Sequence, residues 1–185
     1  IALLVISSLS LHLVPFLETE LDFSKVSAAQ VVMVVTGVTM VAQPIGGFLG
    51  DRFPKAYIAA ATLLAHSTAL FLLATADDFS QVILASVIQG MAWGIRGPIL
   101  TAMRGDFFGR KSFAIILGFS QFVMMGGQVI GPLLAGYMAD HYSYSAGFKI
   151  ISGMTLSGVF LFLFLKSPQP PLSQRPHGPK LERSP

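Results

Sequence analysis

The sequence predicts an all-α integral membrane protein that crosses the bilayer with six helices. Of its 185 residues, 53% are apolar and only 11% are charged, whereas a soluble domain usually carries about 25% charged residues. The charged residues occur in short clusters that are separated by long uncharged stretches. Six of these stretches are apolar and approach or exceed the length of about 20 residues that crosses the hydrocarbon core of a membrane.

The six predicted helices follow one another with short connections, which we expect to be about five to ten residues long. The first segment is short for a span, and we expect a fragment boundary or a helix cut short there. The fifth segment is long enough to be tilted or bent near Pro132. In chain order the six segments comprise residues 1–17, 28–50, 56–76, 82–103, 113–139 and 146–165.

The chain divides into two regions at Lys166. Residues 1–166 form the predicted six-helix bundle. Residues 167–185 are rich in proline and polar side chains. Because this composition cannot bury a hydrophobic core, we expect a disordered tail.

The sign of the charge alternates along the five connections and the tail. The first, third and fifth connections are acidic overall, and the second, the fourth and the tail are basic. Short connections rich in Lys and Arg stay in the cytoplasm. We therefore expect the basic connections, the tail and both termini on the cytoplasmic side of the cell membrane.

Several classes of function are excluded by what the sequence lacks. It contains no cysteine, so disulfides, thiolate metal sites and cysteine nucleophiles are absent. No metal-ligand cluster, P-loop, nucleotide fingerprint or nucleophile–base pair is present. The excess positive charge sits at helix ends and forms no basic face that could bind nucleic acid. We therefore predict no enzyme, no cofactor and no nucleic-acid partner.

Two heptapeptides at equivalent places indicate an internal repeat. Residues 47–53, GFLGDRF, align with residues 136–142, GYMADHY, with like paired to like at each position. They end the second and the fifth segments, and the charge rule puts them on opposite sides of the membrane. This pattern predicts two inverted three-helix repeats, as in many secondary transporters. The alternative is chance similarity between glycine-rich helix ends.

Small residues recur at every fourth position in three of the predicted helices. Such stripes allow helix backbones to approach closely in a membrane. Close packing explains most of them, and smooth helix faces would also permit rocking. The stripes are Ala42, Gly46 and Gly50, then Ser86, Gly90, Gly94, Pro98 and Ala102, and then Gly127, Gly131, Ala135 and Ala139.

The segment GGFLGDRFPK, residues 46–55, resembles the signature loop of the major facilitator superfamily. Gly47, Asp51, Arg52 and Lys55 match the motif, whereas Pro54 stands where the family prefers glycine. The resemblance implies a cytoplasmic loop between the second and third helices of a six-helix half. It also implies that these charges brace the cytoplasmic helix ends in one state of a transport cycle. The alternative is that they only set the topology.

Three further stretches are similar to motifs of the same family. Residues 88–94, IQGMAWG, resemble the fourth-helix pattern, although Ser86 stands where that pattern has Arg. Residues 126–136, which include Gly131 and Pro132, resemble the Gly–Pro motif of the fifth helix, and residues 107–113 resemble the loop before it. The resemblance implies half of a twelve-helix fold.

The resemblance also extends to a subgroup and to one half of the fold. Residues 11–29 and 106–118 are most similar to the carboxy-terminal half of monocarboxylate and oxalate–formate transporters. The Gly–Pro motif, in contrast, is best known from the amino-terminal half. We expect the carboxy-terminal half.

Arg96 is the strongest candidate for a substrate-binding residue. It is the one charge well inside a predicted span, and such charges are functional suspects. Gln89, Trp93 and Arg96 share one face of the fourth helix. A guanidinium beside an indole suits an anionic group, because Arg binds carboxylates with two parallel hydrogen bonds. Alternatively, Arg96 extends to the cytoplasmic edge or makes a structural pair.

Gln121 and His12 complete the candidate binding residues. Gln121 shares a face of the fifth helix with Met125 and Gln128, where it would line a cavity or bond to another helix. His12 and His66 are lone histidines that would pack or carry protons. The resemblance favours His12, because in the family the first and fourth helices line the pathway. It also implies that the third and sixth helices are peripheral, with residues 160–165 facing lipid.

These features predict a secondary transporter that moves a small solute by rocking of two helical bundles. The solute would be an organic anion such as a monocarboxylate, with proton or ion coupling. The bilayer and a further six-helix half would be its partners. The alternative is a non-transporting membrane receptor or assembly partner.

Overall fold

The computed structural model describes residues 2–108 and 113–164, which form six α-helices and no strand. Each helix is long and apolar enough to cross a membrane. This confirms the predicted fold class of six transmembrane helices. The helices are α1 (Ala2–Thr19), α2 (Lys25–Arg52), α3 (Lys55–Ala74), α4 (Phe79–Phe108), α5 (Phe113–His141) and α6 (Tyr144–Leu163).

Some of the described connections are shorter than expected, because several helices extend beyond their apolar segments. Residues 53–54 and 142–143 are the whole of two connections. Lys25, Asp51 and Arg104 lie within helix ends, although the sequence placed them in connections. Polar residues continue a helix where it leaves the hydrocarbon region, because the helix satisfies their backbone groups. The fourth connection and the tail at 167–185 lie outside the described residues.

Serine side chains begin two of the helices. The hydroxyl of Ser24 accepts a hydrogen bond from the backbone N–H of Ser27, at 3.1 Å. The hydroxyl of Ser143 accepts one from the N–H of Ala146, at 3.0 Å. Each bond satisfies a backbone donor that has no partner within the first helical turn. These caps explain why α2 and α6 begin before their apolar segments do.

The helix packing has the symmetry of an inverted repeat. The most extensive contact joins α2 to α4, and α1 lies along α5 in the same manner. Exchanging α1 with α4, α2 with α5 and α3 with α6 converts one of these pairs into the other. The same exchange leaves the contact between α3 and α6 unchanged, because it turns α3 into α6 and α6 into α3. These three contacts agree with the two inverted three-helix repeats that the matched heptapeptides predict, although α3 packs against α4 more extensively than α6 packs against α1.

Small residues permit both symmetry-related contacts. A Cβ atom added to Gly94 would lie 2.5 Å from the carbonyl oxygen of Thr39, and one added to Gly46 would lie 2.6 Å from that of Ile95. A Cβ on Gly131 would overlap the carbonyl oxygen of Leu4 on α1. The three predicted stripes thus allow backbones to pack at distances that larger residues would prevent.

The main cluster of buried apolar side chains draws on all six helices, and α1 contributes the most residues. The rings of Phe16 and Phe148 contact each other edge to face, with centroids 5.2 Å apart. Ser67 and Ser152 exchange hydrogen bonds with each other's backbone carbonyls, at 2.9 and 2.8 Å. Such interhelical bonds satisfy polar groups that lipid cannot solvate. The serine pair thus joins α3 to α6, and the aromatic pair joins α1 to α6.

Candidate functional site

A cavity of about 180 Å³ lies between α1, α2 and α4. Apolar side chains such as Leu9, Leu13 and Val35 form most of its wall, and Gln89 and Trp93 contribute polar groups from α4. A mostly apolar cavity with a few polar groups is the usual form of a small-molecule site. Two of the residues that the sequence predicted to bind substrate therefore line this cavity.

Gln89 and Trp93 lie one helical turn apart, on the α4 face that the sequence predicted. Gln89 is buried, whereas the Trp93 indole is 38% exposed. The opposite face of α4, including Ile88 and Met91, lines an apolar groove of about 630 Å³ between α2 and α3. At 3.6 residues per turn Met91 and Trp93 lie about half a turn apart on α4. α4 thus separates a cavity with polar groups from an apolar surface that suits lipid.

His66 of α3 contacts Gln89 and is fully buried. Its Nδ1 atom lies 3.0 Å from Oε1 of Gln89. Its Nε2 atom is enclosed and has no hydrogen-bond partner among the described residues. The sequence marked His66 only as a lone histidine in a span. No signal within α3 could have indicated Gln89 as its partner, because the two residues belong to different helices.

Arg96 is half-buried and lies on the helical turn that follows Trp93. Within residues 2–108 and 113–164 it makes no ion pair and no side-chain hydrogen bond. It is not among the residues that line the cavity. The structure therefore provides no structural partner within this bundle, and a role of Arg96 in substrate binding remains a prediction.

His12 connects α1 to α5 rather than lining the cavity. Its Nε2 atom lies 3.0 Å from the carbonyl oxygen of Pro132 and must donate, because that oxygen can only accept. Its ring also packs against Tyr144, with centroids 5.5 Å apart. The geometry favours the packing interpretation of His12. It also brings His12 together with Pro132, whereas Gly131 packs against Leu4 and Ser8 of α1.

Gln121 lies on an exposed face of α5, together with Met125 and Gln128. It does not contribute to the cavity between α1, α2 and α4. Most of α5 is exposed beyond its contacts with α1 and α6. The predicted role of Gln121 in binding would therefore require a surface that this bundle alone does not form.

The signature-loop residues occupy the junction between α2 and α3. Lys55 forms an ion pair with Asp106 at the end of α4, with Nζ 2.9 Å from Oδ2. The Arg52 guanidinium lies 4.1 Å from the centre of the Phe48 ring. Asp51 is exposed and makes no side-chain contact of either kind in the part of the chain that is described. An added Cβ on Gly47 would meet no atom within 4 Å.

The ion pair has a counterpart at the other end of the bundle. Glu20, directly after α1, accepts hydrogen bonds from the backbone N–H groups of Tyr144 and Ser145 at the start of α6. It also accepts one from the Ser145 hydroxyl, at 2.5 Å. Under the repeat symmetry α1 corresponds to α4 and α6 to α3. An acidic residue at the end of each repeat's first helix therefore holds the start of the other repeat's third helix.

Metal binding has no support in the described ranges. Within residues 2–108 and 113–164, no three His, Asp or Glu side chains are grouped so that they could hold a metal ion.

Comparison with known proteins shows that nearly the whole chain matches one protein family. The sequence profile of the Major Facilitator Superfamily matches residues 1–184. The quinolone resistance protein NorA of Staphylococcus aureus strain Mu50 is 31% identical over 101 residues, which are 55% of this chain and 26% of that protein. The staphyloferrin B transporter of Staphylococcus aureus strain NCTC 8325 is 29% identical over 117 residues, which are 63% of this chain and 28% of that protein. The matching stretches thus cover about a quarter of these relatives.

Proposed function

Because this chain belongs to the major facilitator superfamily, we propose that it forms one six-helix bundle of a secondary transporter for a small organic solute. Membership in this family of transporters also confirms the prediction that the chain is not an enzyme. The cavity between α1, α2 and α4 carries the proposal, because it combines an apolar wall with Gln89 and Trp93. Such a cavity can bind a solute and orient it through few polar contacts.

A second six-helix bundle completes the proposed transporter. Large apolar side chains on α2 and α5, such as Met40, Phe119 and Phe122, are exposed in this bundle. The stretches that match NorA and the staphyloferrin B transporter cover only about a quarter of those proteins. The second bundle would pack against these free helix faces and close the cavity from the other side. Rocking of the two bundles would then expose the cavity to each side of the membrane in turn.

The transported solute is an organic anion in this proposal. Arg96 and the indole N–H of Trp93 are hydrogen-bond donors near the same face of α4, and the described residues offer Arg96 no acidic partner. A guanidinium suits a carboxylate because it can form two parallel hydrogen bonds. Proton or ion coupling would supply the driving force. A monocarboxylate remains the finer prediction, and the names of the two relatives add quinolones and staphyloferrin B as solutes to test.

The test is an uptake assay on the full-length protein in proteoliposomes. The solutes are radiolabelled lactate, oxalate, benzoate and citrate and a fluorescent quinolone, each with and without an imposed proton gradient. We expect the wild-type protein to move at least one carboxylate. Trp93→Ala should weaken that transport at least about tenfold, because a large aromatic contact is lost.

Met91→Ala is the matched control for this assay. Met91 is 45% exposed against 38% for Trp93, and it lies two residues away on the opposite face of α4. We expect Met91→Ala to transport as the wild type does. Equal losses in the two variants would contradict a solute site in this cavity, and a wild type that moves no solute of the panel would contradict the proposed transport.

A further inference from the structure

We propose that His66 is a positioning residue that holds the Gln89 amide so that its N–H₂ group is presented to the cavity, and that the cavity therefore selects solutes with an anionic hydrogen-bond acceptor. The inference rests on the proposed function, because it concerns the solute of the same cavity. It adds a residue from α3, which does not line the cavity itself.

The hydrogen bond between the two side chains can form in two ways. Either His66 Nδ1 carries the proton and donates to Oε1 of Gln89, or the Gln89 amide is reversed and donates to Nδ1. In the second arrangement a neutral His66 carries its proton on Nε2, which is enclosed and has no partner among the described residues. Most buried side-chain donors in folded proteins have an acceptor, and one without it is costly. The first arrangement leaves only a lone pair unpaired and is therefore preferred.

The first arrangement determines which end of the Gln89 side chain faces the cavity. Oε1 is occupied by His66, and the amide nitrogen has no hydrogen-bond partner in the part of the chain that is described. That nitrogen is not enclosed either, because His66 Nε2 is the one enclosed unpartnered side-chain atom there. Since Gln89 lines the cavity, the proposal places its N–H₂ group there.

The polar groups of the cavity near Gln89 are consequently hydrogen-bond donors. The Gln89 amide contributes N–H groups, and the Trp93 indole can only donate. The hydroxyls of Ser10 and Thr36, which line the cavity from α1 and α2, donate to backbone carbonyls of their own helices, at 2.8 and 2.9 Å, so only their oxygens, which accept, remain for the cavity on that side. A solute that contacts α4 therefore needs hydrogen-bond acceptors. A carboxylate supplies them and has no donor of its own that would lack a partner. Discrimination by buried donors is strong, because a solute without the acceptor leaves them unsatisfied.

The test compares variants of His66 that place a donor at different positions. Asn carries an N–H₂ group about where Nδ1 lies, Gln carries one about where Nε2 lies, and Phe carries none. Binding of radiolabelled benzoate and of its uncharged analogue benzamide is measured on the full-length protein in nanodiscs. We expect His66→Asn to bind benzoate as the wild type does. His66→Phe and His66→Gln should weaken benzoate binding about fivefold or more, with a smaller effect on benzamide.

A double-mutant cycle with Gln89→Leu separates positioning from general damage to the fold. If His66 acts through Gln89, His66→Phe has no further effect on benzoate binding once Gln89 is Leu. The inference is overturned if His66→Phe binds benzoate normally, if His66→Asn fails like His66→Phe, or if the two substitutions act additively. It is also overturned if the wild type prefers benzamide.

Failure of this inference about His66 can be distinguished from failure of the proposed transport function. Binding of benzoate with the expected His66 pattern, but without uptake of any solute, would contradict transport and leave the cavity chemistry intact. Uptake of carboxylates with no effect of His66 would contradict only the positioning role. Thermal unfolding of each variant accompanies the binding measurements, so that a misfolded variant is recognised.

Discussion

Arg96 is a charged side chain near the middle of α4, and no acidic residue of this bundle pairs with it within the described ranges. An unpaired Arg at the centre of a membrane helix costs at least about 2.5 kcal/mol on insertion scales. A compensating group is therefore required, and the two candidates are a solute carboxylate and an acidic residue of the second bundle.

Two substitutions distinguish the charge of Arg96 from its geometry. We expect Arg96→Lys to retain weak transport, because Lys keeps the charge but loses the two parallel hydrogen bonds. Arg96→Ala should lose carboxylate transport about tenfold or more in apparent affinity. The measurement is concentration-dependent uptake in proteoliposomes. Unchanged apparent affinity in Arg96→Ala would show that the residue is structural, and normal transport by Arg96→Lys would exclude the two-pronged contact.

Asp51 differs from Arg52 and Lys55, which contact Phe48 and Asp106, because its side chain has no ion-pair partner within the described residues. We expect Asp51→Asn to lower the turnover rate several-fold while membrane insertion stays at the wild-type level. The physical reason is that an exposed carboxylate at the end of α2 would brace a cytoplasmic helix end of the second bundle in one state. Initial uptake rate is measured against the amount of protein in the membrane. Asp77→Asn, in the connection before α4, is the control, and equal rates in Asp51→Asn and the wild type would refute the bracing role.

At the scale of elements, the contact between α2 and α4 depends on glycines of one face. Gly94 packs against Thr39, whereas a Cβ on Gly97, one turn further along the same helix, would meet no atom within 4 Å. Both positions are helical, so alanine improves the helix propensity at each of them.

Alanine substitutions at these two glycines should therefore have opposite effects. Gly94→Ala forces the backbones apart and should lower the free energy of unfolding by about 1 to 3 kcal/mol. Gly97→Ala should be neutral or slightly stabilising. Thermal unfolding in detergent, followed by circular dichroism, measures both. A Gly94→Ala variant as stable as Gly97→Ala would mean that α2 and α4 are further apart than described here.

The two acidic contacts at helix ends also belong to this scale. Lys55 and Asp106 join α3 to α4, and Glu20 joins α1 to α6. The ion pair is partly exposed, and such pairs contribute little to stability. Their value lies in fixing which helices stay together at each end of the bundle. Each repeat is thereby attached to the other at both ends.

At the scale of the whole molecule, the alternating charges predict how the bundle is oriented. The chain has no cysteine, so single cysteines can be introduced without a background of natural thiols. We expect a cysteine at Asp77 to react with an impermeant maleimide from outside intact cells. One at Arg110, which lies outside the described residues, should react only after the membrane is opened. The reverse pattern would refute the predicted orientation.

The six spans and their order were predictable because the information is local. A run of apolar residues sets the length that fits the hydrocarbon core, and the charges of adjacent connections set the orientation. The three small-residue stripes likewise identified faces for close packing. The ends of α2 and α4 were misjudged, because polar residues such as Lys25 and Asp106 continue a helix that the apolar pattern no longer marks.

The sequence by itself therefore determined the fold class, the number of helices, their repeat and the α4 face that carries Gln89 and Trp93. Only the tertiary structure decided which residue meets which across helices. It joined His66 to Gln89, His12 to the Pro132 carbonyl and Lys55 to Asp106. The physical reason is that helical periodicity defines the face on which a side chain lies. The neighbour of that face depends on how all six helices pack, and that is not a local property of any of them.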